Sequence, residues 1–213
     1  MQRRVLAVAA VILTMAGARP AAAQIAWESP MLIGPGAPAG IGIYLLEPWP
    51  GDEFAVLGTY RTAPVPVGLG FRLGLGEGFR DELAVFGGVD VAGSLLSATQ
   101  DTPLDVVWFA GAGLGIGDDA LLSFPLGLSI GAVLDSDGGV RFAPYLAPRI
   151  VLDAFICDDD FEDRDFCRGD DDLELDLAAD IGLDLSFQRS WMIRFAASLG
   201  DREALAIGVV FQN

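Results

Sequence analysis

Between Leu173 and Phe187 the chain is apolar at every odd position and acidic or small at every even one: Leu173-Glu174-Leu175-Asp176-Leu177-Ala178-Ala179-Asp180-Ile181-Gly182-Leu183-Asp184-Leu185-Ser186-Phe187. Period two means a strand whose two faces meet different surroundings. A soluble sheet hides the apolar face in its core. A transmembrane barrel turns that face to lipid and the charged face to its lumen.

The start of the chain favours export. Arg3 and Arg4 precede an apolar run from Val5 to Ala16, and Ala21-Ala22-Ala23 stands before Gln24. A basic start, a short apolar stretch and a small-residue site read as a signal peptide over residues 1–23. Its removal takes Arg3, Arg4 and Arg19 and moves the net charge from −17 to −20. That charge repels nucleic acid, which excludes a nucleic-acid partner. Yet 52% of the residues are hydrophobic, so charge and apolar surface must be segregated. Beyond residue 23 no apolar run approaches the ~20 residues of a membrane helix, and an integral protein without such helices must be a barrel.

Residues 24–37, with Pro30, Gly34, Pro35 and Gly36, read as an irregular N-terminal segment, and residues 38–213 as the barrel. Alternating strands are predicted over 41–45, 54–60, 65–75, 83–95, 106–116, 122–134, 140–152, 173–187, 191–199 and 205–211, separated by turn signals such as Gly76-Glu77-Gly78 and Gly200-Asp201-Arg202. The fold class is therefore all-β, an antiparallel up-and-down transmembrane barrel of about ten strands. Eight is the alternative if the first pair stays out of the wall. With the N-terminus in the periplasm, the one long connection, about 156–172, falls outside the cell. On that orientation Tyr60, Trp108, Phe142, Phe187, Trp191 and Phe211 share the apolar parity and gather near the periplasmic ends of their strands. An aromatic girdle predicts this arrangement.

The other parity lines the lumen. It carries Arg72, Arg141, Arg149, Glu174, Asp176, Asp180, Asp184 and Arg194, and the turn at Arg189 sets Asp184 across from Arg194. Buried carboxylates require pairing, so these residues are expected to form an interior charge network. Gly68, Gly70, Gly74 and Gly76, with Gly111, Gly113, Gly115 and Gly117, also point inward, which predicts a roomier side of the lumen. They lack the spacing of a nucleotide loop.

Cys157 and Cys167 flank a dense acidic run, and in an exported chain they are expected to form a local disulfide. The carboxylate density of residues 158–172 allows weak divalent-cation binding, although Asp163 stands where a calcium loop needs Gly. No catalytic group, cofactor site or defined metal site is predicted.

Taken together, the leader, the ten alternating strands, the girdle and the acidic outer loop resemble the small outer-membrane β-barrel proteins of Gram-negative-type bacteria. The resemblance covers nearly all of the mature chain and is architectural. It implies outer-membrane localisation, with membrane lipid and the barrel-assembly machinery as partners. Leu205, Ile207, Val209 and Phe211 resemble the C-terminal assembly signal of those proteins, although Gln212 and Asn213 follow the aromatic. Barrel hydrolases of that group use a catalytic His; this chain has none, so it is expected not to be an enzyme. Three functions remain: a structural or surface-interaction barrel with a plugged lumen, a narrow passive pore, and a soluble secreted or periplasmic barrel binding a small apolar ligand. Bulky Arg–Asp pairs argue for the plug and the glycines for passage; the plug is preferred. Oligomeric state is left open.

Overall fold

The computed structural model describes residues 27–36, 39–48, 54–62, 67–77, 83–117, 120–136, 138–156, 173–188 and 190–212. The expected leader, Cys157, Cys167, the acidic run at 158–172 and Arg189 lie outside the described residues.

The strands are β1 (Gly40–Pro48), β2 (Ala55–Arg61), β3 (Val67–Glu77), β4 (Leu83–Leu96), β5 (Asp105–Ile116), β6 (Ala120–Gly131), β7 (Leu134–Asp135), β8 (Arg141–Ile156), β9 (Leu173–Gln188), β10 (Trp191–Gly200) and β11 (Ala204–Gln212). β7 is a two-residue strand on the start of β8. The other ten form the wall. Sequence neighbours pair antiparallel, β6 pairs β8, and β1 pairs β11 from Gly40↔Gln212 to Pro48↔Ala204. These last two seams close the sheet into a barrel, which removes the unpaired edges an open sheet exposes. The first predicted pair is built into the wall, so ten strands is the count. The sixth predicted strand ends earlier than expected: β6 stops at Gly131, and Leu134 belongs to β7.

Each strand shows one parity outward and one inward. On β1, Ile41, Ile43 and Leu45 face out and Tyr44 and Leu46 are buried. On the outer wall Leu73 is 67% and Leu175 62% exposed, alongside Leu75, Ile181, Phe195 and Ile207. A soluble sheet protein would bury such a continuous apolar surface; around a closed barrel it is the lipid face.

The end of the barrel where β1 begins and β11 finishes is here the terminal end; the other is the distal end. Tyr60 pairs Phe71 in register, with ring centroids 6.4 Å apart, and Phe187 lies 5.7 Å from Trp191. Trp191 is in turn opposite Phe211. These aromatics, with Phe142 at the start of β8, cluster on the outer wall at the terminal end, and Phe71 is a member that the alternation pattern did not single out. Trp108 sits a turn of the pleat further in, opposite Gly93 and Leu128.

A ten-strand barrel is wider than the roughly eight-strand size that side chains alone can fill. The chain's own N-terminal stretch fills the excess. Trp27, Glu28, Met31 and Ile33 are buried, and two apolar clusters form around the segment. Trp27 and Leu32 pack with Tyr44, Leu57, Phe86 and Met192, while Met31 and Ile33 pack with Val107, Phe109 and Tyr145. Residues 27–34 are thus buried at the centre of the core.

Candidate functional site

The lumen is the site, and β9 is its rack. Asp176, Asp180 and Asp184 occupy every second inward position, ~13 Å apart along the strand. Ala178 and Gly182 stand between them, small enough for the opposing side chains to enter. Each aspartate meets a different arginine. Arg194 and Asp184 face each other in register and form a two-pronged pair, both contacts at 2.6 Å. Arg149 Nε lies 3.2 Å from both oxygens of Asp180. Arg202 Nε donates to Asp176 at 2.7 Å, and the same guanidinium pairs with Asp153. Across the lumen, Arg72 Nε donates to Asp90 at 3.0 Å, and Arg61 also pairs with Asp90.

These wall arginines hold the inserted segment. Arg72 donates to the carbonyls of Trp27, at 3.2 Å, and Met31. Arg194 donates to the Leu32 carbonyl. Arg149 pairs with Glu28 and donates to Ser29 Oγ at 2.9 Å, and Arg202 reaches Glu28 at 2.9 Å. The Met31 amide donates to Asp180 at 2.8 Å. Backbone groups buried without water need partners. Here side chains provide them in place of a β-ladder. Leu32 sits in the left-handed region, φ 55°, an uncommon conformation for Leu, with its side chain packed in the core and its carbonyl held.

Glu28 stands on the segment and not on a wall strand. Burial pushes its carboxyl up, and Arg149 and Arg202 more than offset this, so it ionises below the usual carboxylate range.

The inward glycines have a different use from the one expected. The glycine side of the lumen is not roomier, because the Trp27 ring occupies it. A Cβ on Gly88 would come within 2.5 Å of that ring, one on Gly111 within 3.3 Å, and one on Gly113 would overlap it. Aromatic side chains fill several other gaps in the same way, with Phe86 over Gly74, Phe109 over Gly127 and Tyr145 over Gly182, while Gly70 faces the Arg61–Asp90 pair and Gly76 faces Ala55.

Two of the eight predicted lumen residues stand outside the buried network. Arg141, at the first position of β8, is exposed and pairs with exposed Asp135 at 2.9 Å. Glu174, near the distal start of β9, is also exposed. Both have inward parity, but strand ends open into solvent. The other six, Arg72, Arg149, Asp176, Asp180, Asp184 and Arg194, face inward and pair as described. Five members were not anticipated: Glu28, Arg61, Asp90, Asp153 and Arg202. Parity could have found Arg61, Asp90 and Asp153, since each lies on the inward face of its strand. Arg202 sits in a turn and Glu28 in a stretch without periodicity, so neither carries a local signal. Among the described residues no group of three or more His, Cys, Asp or Glu is disposed to hold a metal ion.

The closed wall and its apolar outer face are those of a transmembrane β-barrel, the fold found in bacterial outer-membrane proteins. Comparison with solved structures agrees on the architecture. The chain is similar to the β domain of the Bordetella autotransporter BrkA, with a TM-score of 0.51 at 10% identity, over 83% of this chain and all of that one. Weaker likenesses are to the KdgM porin (TM-score 0.42, 10% identity, 82% and 99% covered) and to Omp33 of Acinetobacter baumannii (TM-score 0.31, 11% identity, 84% and 100% covered). At such identity the likeness concerns the fold alone. No family model matches the chain, and no curated protein matches it.

Proposed function

We propose that this protein is a non-enzymatic outer-membrane barrel closed by its own N-terminal segment, with a structural or surface-interaction role in place of an open passive pore. One observation carries the reading: residues from Trp27 to Ile33 lie buried in the lumen, tied to four arginines from different parts of the wall. A pore would need that space free. The terminal end faces the periplasm in this reading, its aromatics lie at the lipid interface, and β11 carries the assembly signal. Cys157 and Cys167 form a disulfide in the outer loop, which a mass shift of two hydrogens on reduction would report.

Single-channel recording on the mature chain refolded into a planar bilayer tests the reading. Insertion without steady current is expected. Steady conductance of the intact protein would identify a narrow pore. Failure to insert, with good solubility in buffer free of detergent, would identify a soluble ligand-binding barrel.

A further inference from the structure

The wall does not need the inserted segment to satisfy its charges. Arg61 and Arg72 share Asp90, Arg149 has Asp180, Arg194 has Asp184, and Arg202 has Asp153 and Asp176. Five wall arginines thus face five wall aspartates. Withdrawing the segment orphans none of these buried charges, which is the step that makes breaking a buried ion pair costly. What the segment adds is Glu28 and a row of backbone groups.

The segment is also held differently from the strands. No strand pairing involves residues 27–36. Its contacts come from side chains of the wall: Arg72 and Arg194 donate to carbonyls, Asp180 accepts from the Met31 amide, and Glu28 pairs with Arg149 and with Arg202 in the turn before β11. A glycine-lined socket at Gly88, Gly111 and Gly113 receives the Trp27 ring. A charge-balanced cavity with placed donors, one acceptor and one socket has the construction of a ligand site.

On the reading that the lumen is plugged, we infer that it is a peptide-binding site whose ligand is a bent, non-strand segment bearing Trp followed by Glu. The N-terminal stretch occupies it as a separable ligand, and the same peptide supplied in trans binds there too. The arginine pair on Glu28 and the glycine socket for Trp27 set the specificity. Charge-assisted hydrogen bonds of this kind are the strong ones.

The test uses the full mature chain with a specific protease site inserted after Gly36, which is exposed. The protein is refolded intact into planar bilayers, so folding does not depend on removing anything. Current is recorded before cleavage, after cleavage and perfusion, and after adding a synthetic peptide of residues 24–36. Silence, then current, then saturable block by the peptide is expected, and a peptide with Glu28→Gln should need about tenfold or more higher concentration. If cleavage opens a current that millimolar peptide never blocks, the peptide site is wrong and the plugged reading stands. Current through the uncut protein sinks the plugged reading and this inference with it. If the cut barrel stays silent, exchange of a fluorescent copy of the peptide into it decides: uptake that unlabelled peptide competes away supports the site, and no uptake overturns it.

Discussion

Gly113 and Trp27 show how closely this lumen is filled. A methyl group on Gly113 has no space except that of the indole ring. Gly113→Ala should therefore dislodge Trp27, lower stability by about 1–3 kcal/mol and, on the proposed plugged reading, produce current, read as a lower urea midpoint and a leak. Asp184 makes a different point. Both prongs of its pair with Arg194 are buried. Asp184→Ala should cost about 3–5 kcal/mol by leaving the guanidinium uncompensated, whereas the double variant with Arg194→Met should recover much of that loss in the same urea titration. Glu28 gives a pH signature. Its carboxyl is held below the usual range when docked. Its contribution to docking is therefore complete above the undocked value of about 4.3 and disappears as pH falls through the docked value. Plug release, followed as current, should rise below about pH 4, and Glu28→Gln should reduce that acid-dependent component.

At the scale of elements, β9 shows what alternation decides and what it leaves open. Its odd positions make a lipid face and its even positions a rack of carboxylates, as the period-two pattern says. The partner of each carboxylate is less accessible to sequence reading. Asp184 and Arg194 are close in sequence and joined by a tight turn, so their pairing is legible. Asp180 meets Arg149, and Asp176 meets Arg202, through a register that only the assembled sheet sets. The strand ends mislead for a simple reason: parity assigns a direction but not a depth, so Arg141 and Glu174 have inward parity and still meet water. The outer face of β9 supports a direct test. Ile181 is 49% exposed near the middle of the strand. On a soluble surface Ile181→Arg would be close to neutral. Facing the bilayer midplane, it should cost about 2–4 kcal/mol, measured as the unfolding midpoint in lipid vesicles.

At the scale of the whole molecule, closure and filling are separate problems. Closure is a property of the wall: β1 pairs with β11 and β6 with β8, so among the described residues each of the ten wall strands is paired on both sides. Filling is a property of the wall together with residues 27–36. Because ten strands enclose more space than their side chains occupy, the lumen must be wet, empty or occupied, and here the chain occupies it itself. The sequence by itself determined the all-β class, the strand count, the lipid and lumen faces and most of the charged residues that pair inside. It could do so because strand periodicity is local and each face of the wall sees one kind of surroundings along its length. Only the tertiary structure decided that a stretch without periodicity is the centre of the core, that several inward glycines are seats for aromatic rings, and that Glu28 joins Arg149 and Arg202 from 121 and 174 residues away. Those contacts depend on the barrel's width and register, which arise only when the first strand meets the last.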